Sequence, residues 1–236
     1  TISDEGGNES VEVHTLTDGR NKVKRIKNPD IGIIARLKVS PKENLIAVSN
    51  NRHELFIIDL KSESLTLIAK SNFERIEDFC FSPDGKLIAY SMSNAHFLSS
   101  VYLYDINAKE NHQITSSGFR DYQPTFDPDG RFIYFLSARE FNPVYDTSYF
   151  QLGFPLGVRP YLISLRKDVV SPFTQEYSRI FSKNGSYKKD KDSKKHDDKK
   201  IKVDYEDIQN RIISFPLPEK NYFQIMAVKD GLVYSR

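Results

Sequence analysis

The side chains that could do chemistry in this sequence are few and scattered. Five histidines, His14, His53, His96, His112 and His196, fall on different segments, and none stands at metal-ligand spacing. His53 precedes Glu54 in a short link before an apolar run, where a surface pair explains it as well as a general base. The one cysteine, Cys80, lies between Phe79 and Phe81, the setting of a packed thiol and not of an activated nucleophile. There is no Gly-x-Ser-x-Gly elbow, no phosphate-binding Gly-rich loop ending in Lys-Ser/Thr, no His-Glu-x-x-His and no cysteine pair. Asp127-Pro-Asp-Gly130 resembles half a calcium loop but lacks the later ligands and the terminal glutamate, so it reads as a turn. No metal or cofactor is expected. What remains is a set of arginines in aromatic company: Arg120 near Tyr122, Arg139 near Phe141, Arg159 near Tyr161. A guanidinium can hold a peptide carboxylate through two parallel hydrogen bonds, and the same groups can equally form surface ion pairs or stacked loop supports. Arg139 and Arg159 are the candidate substrate-binding residues.

The elements that must position them come from an internal repeat. Ser40-Pro41 stands four residues ahead of Leu45-Ile-Ala-Val-Ser49, and Ser82-Pro83 four ahead of Leu87-Ile-Ala-Tyr-Ser91. Asp127-Pro128 likewise precedes Phe132-Ile-Tyr-Phe-Leu-Ser137. The prolines are 42 and 45 residues apart, inside the range of about 40–50 residues expected for one propeller blade. The runs are short, β-branched and aromatic, without the three- and four-residue spacing of a helix. Pro-Asp-Gly at 83–85 and 128–130 supplies a tight turn, since glycine accepts positive φ and proline presets the first turn position. Each period divides into four antiparallel strands, and the fold expected is all-β, about three full propeller blades with partial blades at both ends. The blades fall at residues 31–70, 76–116 and 122–215, the partial ones at 11–16 and 222–236, and all belong to one array supported by stacking.

The third period departs from the others. The strand-three position lies 18 residues after the turn proline in the first copy (Asp59), 22 in the second (Asp105) and 36 in the third (Ser164). Some 14 extra residues therefore sit around 140–158, carrying Phe141, Tyr145, Tyr149, Phe150 and Phe154. They read as a packed surface loop or, since loops on rigid scaffolds build binding sites, a binding element. The basic stretch at 22–27 reads as a solvated loop. Residues 183–202 are mostly Lys, Asp, Ser and Gly, too poor in apolar groups to offset the entropy of ordering, and a flexible loop is expected there. Its seven lysines over 188–200 are interleaved with four aspartates that cancel much of the field. With 34 basic and 32 acidic residues overall, nucleic acid is not the expected partner. No apolar run approaches the roughly 18 residues of a membrane span, and a lone cysteine favours a reducing compartment.

The repeat alone resembles many propellers, including TolB-like and prolyl-oligopeptidase-type ones. The third copy is more specific. Tyr134-Phe-Leu-Ser-Ala-Arg-Glu-Phe-Asn-Pro-Val-Tyr-Asp146, then Leu152-Gly-Phe-Pro155, Arg159-Pro-Tyr-Leu162, Ser171-Pro-Phe173 and Arg211-Ile-Ile-Ser-Phe-Pro-Leu-Pro218 resemble, in that order, the second propeller of tricorn proteases. The resemblance covers nearly the whole chain except the Lys/Asp-rich loop. It implies a segment of a seven-bladed propeller in a large cytoplasmic serine peptidase. The rest of that polypeptide would carry the catalytic residues and would assemble into a hexamer. The propeller would be a non-catalytic passage or filter for peptide substrates. The rival expectation is a stand-alone TolB-like or WD-type propeller that binds a protein partner.

Overall fold

The computed structural model describes residues 1–4, 9–17, 20–26, 31–148, 151–153, 156–169, 171–173, 200–218, 220–229 and 231–236. Antiparallel sheets follow one another along the chain. The first joins β1 (Ile2–Ser3), β2 (Ser10–Thr17) and β3 (Arg20–Ile26). Three four-stranded sheets come next. The first is β4 (Ile34–Val39), β5 (Leu45–Asn50), β6 (Glu54–Asp59) and β7 (Leu65–Lys70), followed by β8 (Phe79–Phe81), β9 (Leu87–Ala95), β10 (Leu98–Asp105) and β11 (Glu110–Gln113). In the last, β12 (Asp121–Phe126) and β13 (Phe132–Ser137) are followed by a small hairpin, β14 (Val144–Asp146) and β15 (Gln151–Gly153). The sheet resumes with β16 (Arg159–Ser164) and β17 (Ile212–Ser214). A final hairpin is β18 (Gln224–Val228) with β19 (Gly231–Ser235). This is the all-β blade architecture read from the repeat.

The sequence punctuation explains the local geometry. In the turn after β8, Ser82 Oγ donates to Asp84 Oδ1 at 2.6 Å and accepts from the amides of Lys86 and Leu87. Gly130 ends the corresponding turn of the next sheet with φ +66, and a Cβ there would lie 2.5 Å from Ile201 Cδ1. The middle strands are apolar on both faces because each sheet is covered by its neighbours. Leu87, Ala89, Val101 and Leu103 of one sheet meet Phe126, Ile133, Phe135 and Ile163 of the next. Ala47, Leu55 and Ile57 likewise meet Phe79, Ile88 and Tyr90.

In each four-stranded sheet the first strand is an edge, and these edges converge: β4 lies against β8, β8 against β12, and β12 against β18. Because successive strands run opposite ways, the turns sort onto two ends of the arc. One end carries the Pro-containing turns at 40–44, 82–86 and 127–131. The other carries the connectors at 71–78 and 114–120 and the turns at 51–53 and 96–97, together with the inserted hairpin; we call it the loop end.

Several expectations change. The stretch read as a solvated loop at 22–27 is, over its described residues, most of strand β3. Arg25 pairs with Glu12 at 2.7 Å across the hairpin, and Lys24 with Glu63 at 2.9 Å, so its charges are met on the sheet surface. Val11–Leu16, read as an outer strand, is the centre of three, since β3 takes the edge. Of the inserted aromatics, Tyr149, Phe150 and Phe154 lie outside the described residues, while the hairpin in the insertion leaves Phe141 80% and Tyr145 54% exposed. The Lys/Asp-rich segment lies outside the described residues as far as 199. At its end, Ile201 and Val203 pack on the core and the Ile201 amide donates to Asp84 Oδ2 at 2.8 Å.

Candidate functional site

The converging edge strands border an open, concave cavity of about 630 Å³. Arg36 and Lys38 of β4 form one wall, both exposed. Cys80 of β8 and Gln123, Pro124 and Thr125 of β12 form the floor, and Ile225 and Met226 of β18 the far wall. Since β4 bonds only to β5, the backbone groups of its other edge have no strand partner in this sheet.

A bulge ties the floor together. The proline in Asp-Tyr-Gln-Pro-Thr-Phe cannot donate to a ladder, so the pairing of β12 with β13 shifts between Tyr122 and Thr125. Gln123, at φ +52, is turned out of the ladder and bridges three sheets. Its amide donates to Asp78 Oδ2 at 3.2 Å, its Nε2 donates to the Phe223 carbonyl at 2.8 Å, and its Oε1 accepts from the Ile225 amide at 3.3 Å. The Cys80 thiol donates to the Pro124 carbonyl at 3.2 Å, and burial pushes its pKa up to about 12. The thiol stays protonated at neutral pH and acts as a small packed group.

A second, more polar cavity of about 400 Å³ opens at the loop end and shares Glu77 and Asp78 with the first. His53, Glu74, Arg75, Arg120, Tyr122 and three serines complete its lining. Burial, with the neighbouring Glu77 carboxylate, pushes the Asp78 carboxyl above its ordinary range, against the Gln123 amide and the charges of Arg36 and Arg120. Arg120 lies over the Tyr122 ring, 5.3 Å from its centroid.

The two arginines singled out in the sequence also stand at the loop end, in different settings. Arg139 Nη2 donates to both oxygens of the fully buried Asp121, at 2.8 and 2.9 Å, and its Nε donates to Ser137 Oγ at 2.7 Å. Ser137 Oγ in turn donates to Asp121 Oδ1 at 2.5 Å. The guanidinium is sandwiched by Phe119 and Tyr161, 4.6 and 4.7 Å from their centroids. Arg159 lies 3.5 Å from Glu140, which also accepts a hydrogen bond from the Tyr161 hydroxyl. Burial and that carboxylate push the Tyr161 phenol up. Neither arginine lines either cavity. Arg36, Lys38, Asp78 and Gln123, which do, were not among the candidates, although the Gln-Pro break in a strand was a legible sign of a bulge. Among the described residues no group of three or more His, Cys, Asp or Glu side chains could hold a metal ion, and no helix is long and apolar enough to cross a membrane.

Comparison with known proteins places this arrangement. The sequence profile of the tricorn protease second beta propeller domain matches residues 1–236. The chain is 36% identical over 207 residues to a Tricorn-like protease C-terminal subunit of Sulfurisphaera tokodaii, covering 88% of this chain and 22% of that protein. It is 32% identical over 216 residues to a tricorn protease homolog of Saccharolobus solfataricus, covering 92% of this chain and 18% of that one. The crystal structure of the tricorn protease superposes with a TM-score of 0.75 at 21% identity, over 91% of this chain and 20% of that chain. The chain thus spans about a fifth of the length of these relatives. Blade sheets, converging edge strands and a profile match from the first residue to the last lead to one conclusion: the chain belongs to the tricorn protease second β-propeller family.

Proposed function

We propose that this segment is a non-catalytic part of the wall of a peptide channel in a tricorn-type serine peptidase, and that it admits extended chains and excludes folded ones. The observation that carries the reading is the convergence of β4, β8, β12 and β18 around one cavity. A folded domain cannot enter such a space, whereas an extended peptide can lie along a free strand edge and exchange main-chain hydrogen bonds with it. Arg36, paired with Glu77 at 4.0 Å, and Lys38 share the lining with Asp78, Ile225 and Met226, so the cavity offers an extended peptide charges of both signs beside an apolar surface. Hydrolysis of the peptide, assembly of the chains into a homo-oligomer and a cytoplasmic location belong to the same proposal and rest on the family relationship. Arg139 and Arg159 enter it unequally. Arg139 has two guanidinium nitrogens engaged on Asp121 and Ser137, so its part is to hold the loop end rigid. A peptide carboxylate at Arg159 would compete with Glu140.

The test uses the full polypeptide cleared of other reactive cysteines. Lys38→Cys, combined with Cys80→Ala because that half-buried thiol lines the same cavity, places the labelling site on the exposed basic wall. A bulky maleimide there is expected to slow the turnover of long peptides more than that of very short ones. Equal turnover of long peptides before and after labelling would overturn the channel reading.

A further inference from the structure

The hairpin β18–β19 is held to the rest of the protein differently from the sheets before it. The second and third four-stranded sheets are tied at several points: Ser99 Oγ donates to the Asp121 carbonyl at 2.8 Å, the Cys80 thiol to the Pro124 carbonyl and the Gln123 amide to Asp78. The hairpin instead rests on the third sheet by apolar contact, with Ile225, Ala227 and Leu232 packed on the cluster of Phe132, Tyr134 and Leu162. Contact of this kind is non-directional and tolerates small slides along the strand. A hydrogen bond does not, because it weakens steeply with distance and angle. Among the described residues, the hydrogen bonds that join the hairpin to the preceding sheets both involve the Gln123 side chain. It donates to the Phe223 carbonyl at 2.8 Å and accepts from the Ile225 amide at 3.3 Å.

We propose that the Gln123 carboxamide is the latch of this seam, a positioning residue that fixes the far wall of the larger cavity, Ile225 and Met226, against its floor. Phe223 and Ile225 present a carbonyl and an amide two residues apart, the pair a neighbouring strand would engage, while β18 bonds to β19 along its other edge. One donor and one acceptor are needed side by side, and a carboxamide supplies both at neutral pH without a net charge. The pairing shift ahead of Thr125 turns this side chain out of its own ladder and frees it for the hairpin. The Gln123 amide on Asp78 Oδ2 pins the same residue to the second sheet, so one residue refers the hairpin's position to β8 as well as to β12. The assignment does not depend on what the cavity carries.

The test reads the hairpin's position in the full polypeptide, with its native cysteines replaced, Cys80 among them. Spin labels at Lys109→Cys and Lys229→Cys, both on exposed turns, report the distance between the second sheet and the hairpin. Gln123→Met keeps the volume and removes both hydrogen bonds. The distance distribution should broaden, and amides of β18 and β19 should exchange roughly ten- to thirtyfold faster. Gln123→Glu separates a latch from mere packing. As a carboxylate it accepts from the Ile225 amide but cannot donate to the Phe223 carbonyl, and once protonated it does both. Its distribution should be broad at neutral pH and should narrow as the pH falls through the range of an ordinary glutamic acid, about 4.3. Glu77 and Asp78 ahead of β8, Arg36 and Lys38 of β4 and Tyr234 of β19 line the same cavity. The unsubstituted protein and Gln123→Met, recorded at each pH, therefore serve as controls for whatever those groups contribute. A Gln123→Met distribution as narrow as the original, or a Gln123→Glu distribution with no pH response beyond the controls, overturns the proposal. If Gln123→Met fails to fold, Gln123→Glu decides alone: narrowing in acid supports the latch, and its absence overturns it.

Discussion

Replacing Arg139 by alanine should loosen the third blade far more than a surface arginine would. Asp121 is fully buried, and its carboxylate is met by two contacts from Arg139 Nη2 and one from Ser137 Oγ. The guanidinium side chain is itself only 14% exposed and stacks between Phe119 and Tyr161. Removing it leaves a buried charge without its counter-ion, a change that typically costs about 3–5 kcal/mol. At 1.4 kcal/mol per factor of ten, amides of β12, β13 and β16 that exchange by local opening should speed up roughly a hundredfold to a few thousandfold. Hydrogen exchange by mass spectrometry on the full polypeptide reads those strands separately, with β5 and β6 as the internal reference. Arg139→Met combined with Asp121→Leu removes both charges and keeps the volume, so exchange should return most of the way towards the original rate. Lysine at 139 restores the charge but not the forked geometry and should recover only part. Exchange in β13 that is unchanged by Arg139→Ala, or a double variant looser than the single one, would refute the reasoning.

Two further outcomes follow from the same geometry. Gly130→Ala introduces a Cβ at 2.5 Å from Ile201 Cδ1 in a backbone with φ +66. It should cost about 1–2 kcal/mol from the conformation alone, plus displacement of the 200–205 segment, and Ile201→Ala should relieve only the second part; protease accessibility at that segment measures it. Asp78 has a folded pKa raised above 3.8. The folded form therefore holds a proton that the unfolded chain has lost, and stability falls as pH rises from 3.8 through the raised value. Asp78→Asn, whose carbonyl can still accept from Gln123, should stabilise β8 and β12 at neutral pH and confer little advantage in acid. A neutral-pH loss on substitution would contradict that sign.

The blades were legible because their punctuation is chemical. Pro-Asp-Gly at 83–85 and 128–130 forces turns, and the runs 45–49, 87–91 and 132–137 are apolar up to a closing serine because both of their faces are covered by neighbouring sheets. Strand β3 was hidden because Lys22, Lys24 and Arg25 suggest solvent, while their partners Glu12 and Glu63 come from other segments. The docking of Ile201, Val203 and Tyr205 was hidden for a similar reason: their alternation with Lys202 and Asp204 spans only five residues after a run of Lys and Asp, too short to name the sheet they pack on. Tyr205 stacks on His112 at 3.7 Å, a partner 93 residues away. At the site, arginine beside an aromatic was a visible pattern, but whether a guanidinium faces a cavity or a buried carboxylate depends on where Asp121 lands. Gln123 and Asp78 carry no signal in their type. Their role arises from a bulge that turns one glutamine towards three sheets.

The central claim, that the converging edge strands line a path for extended peptide, is tested most directly by photocrosslinking. A peptide carrying a photoreactive residue at its middle, bound to the full polypeptide and mapped by mass spectrometry, should label the 36–38, 78–80 and 123–125 segments of β4, β8 and β12. Label confined to the outer strands β7 and β11, or spread without preference over the surface, would contradict the account.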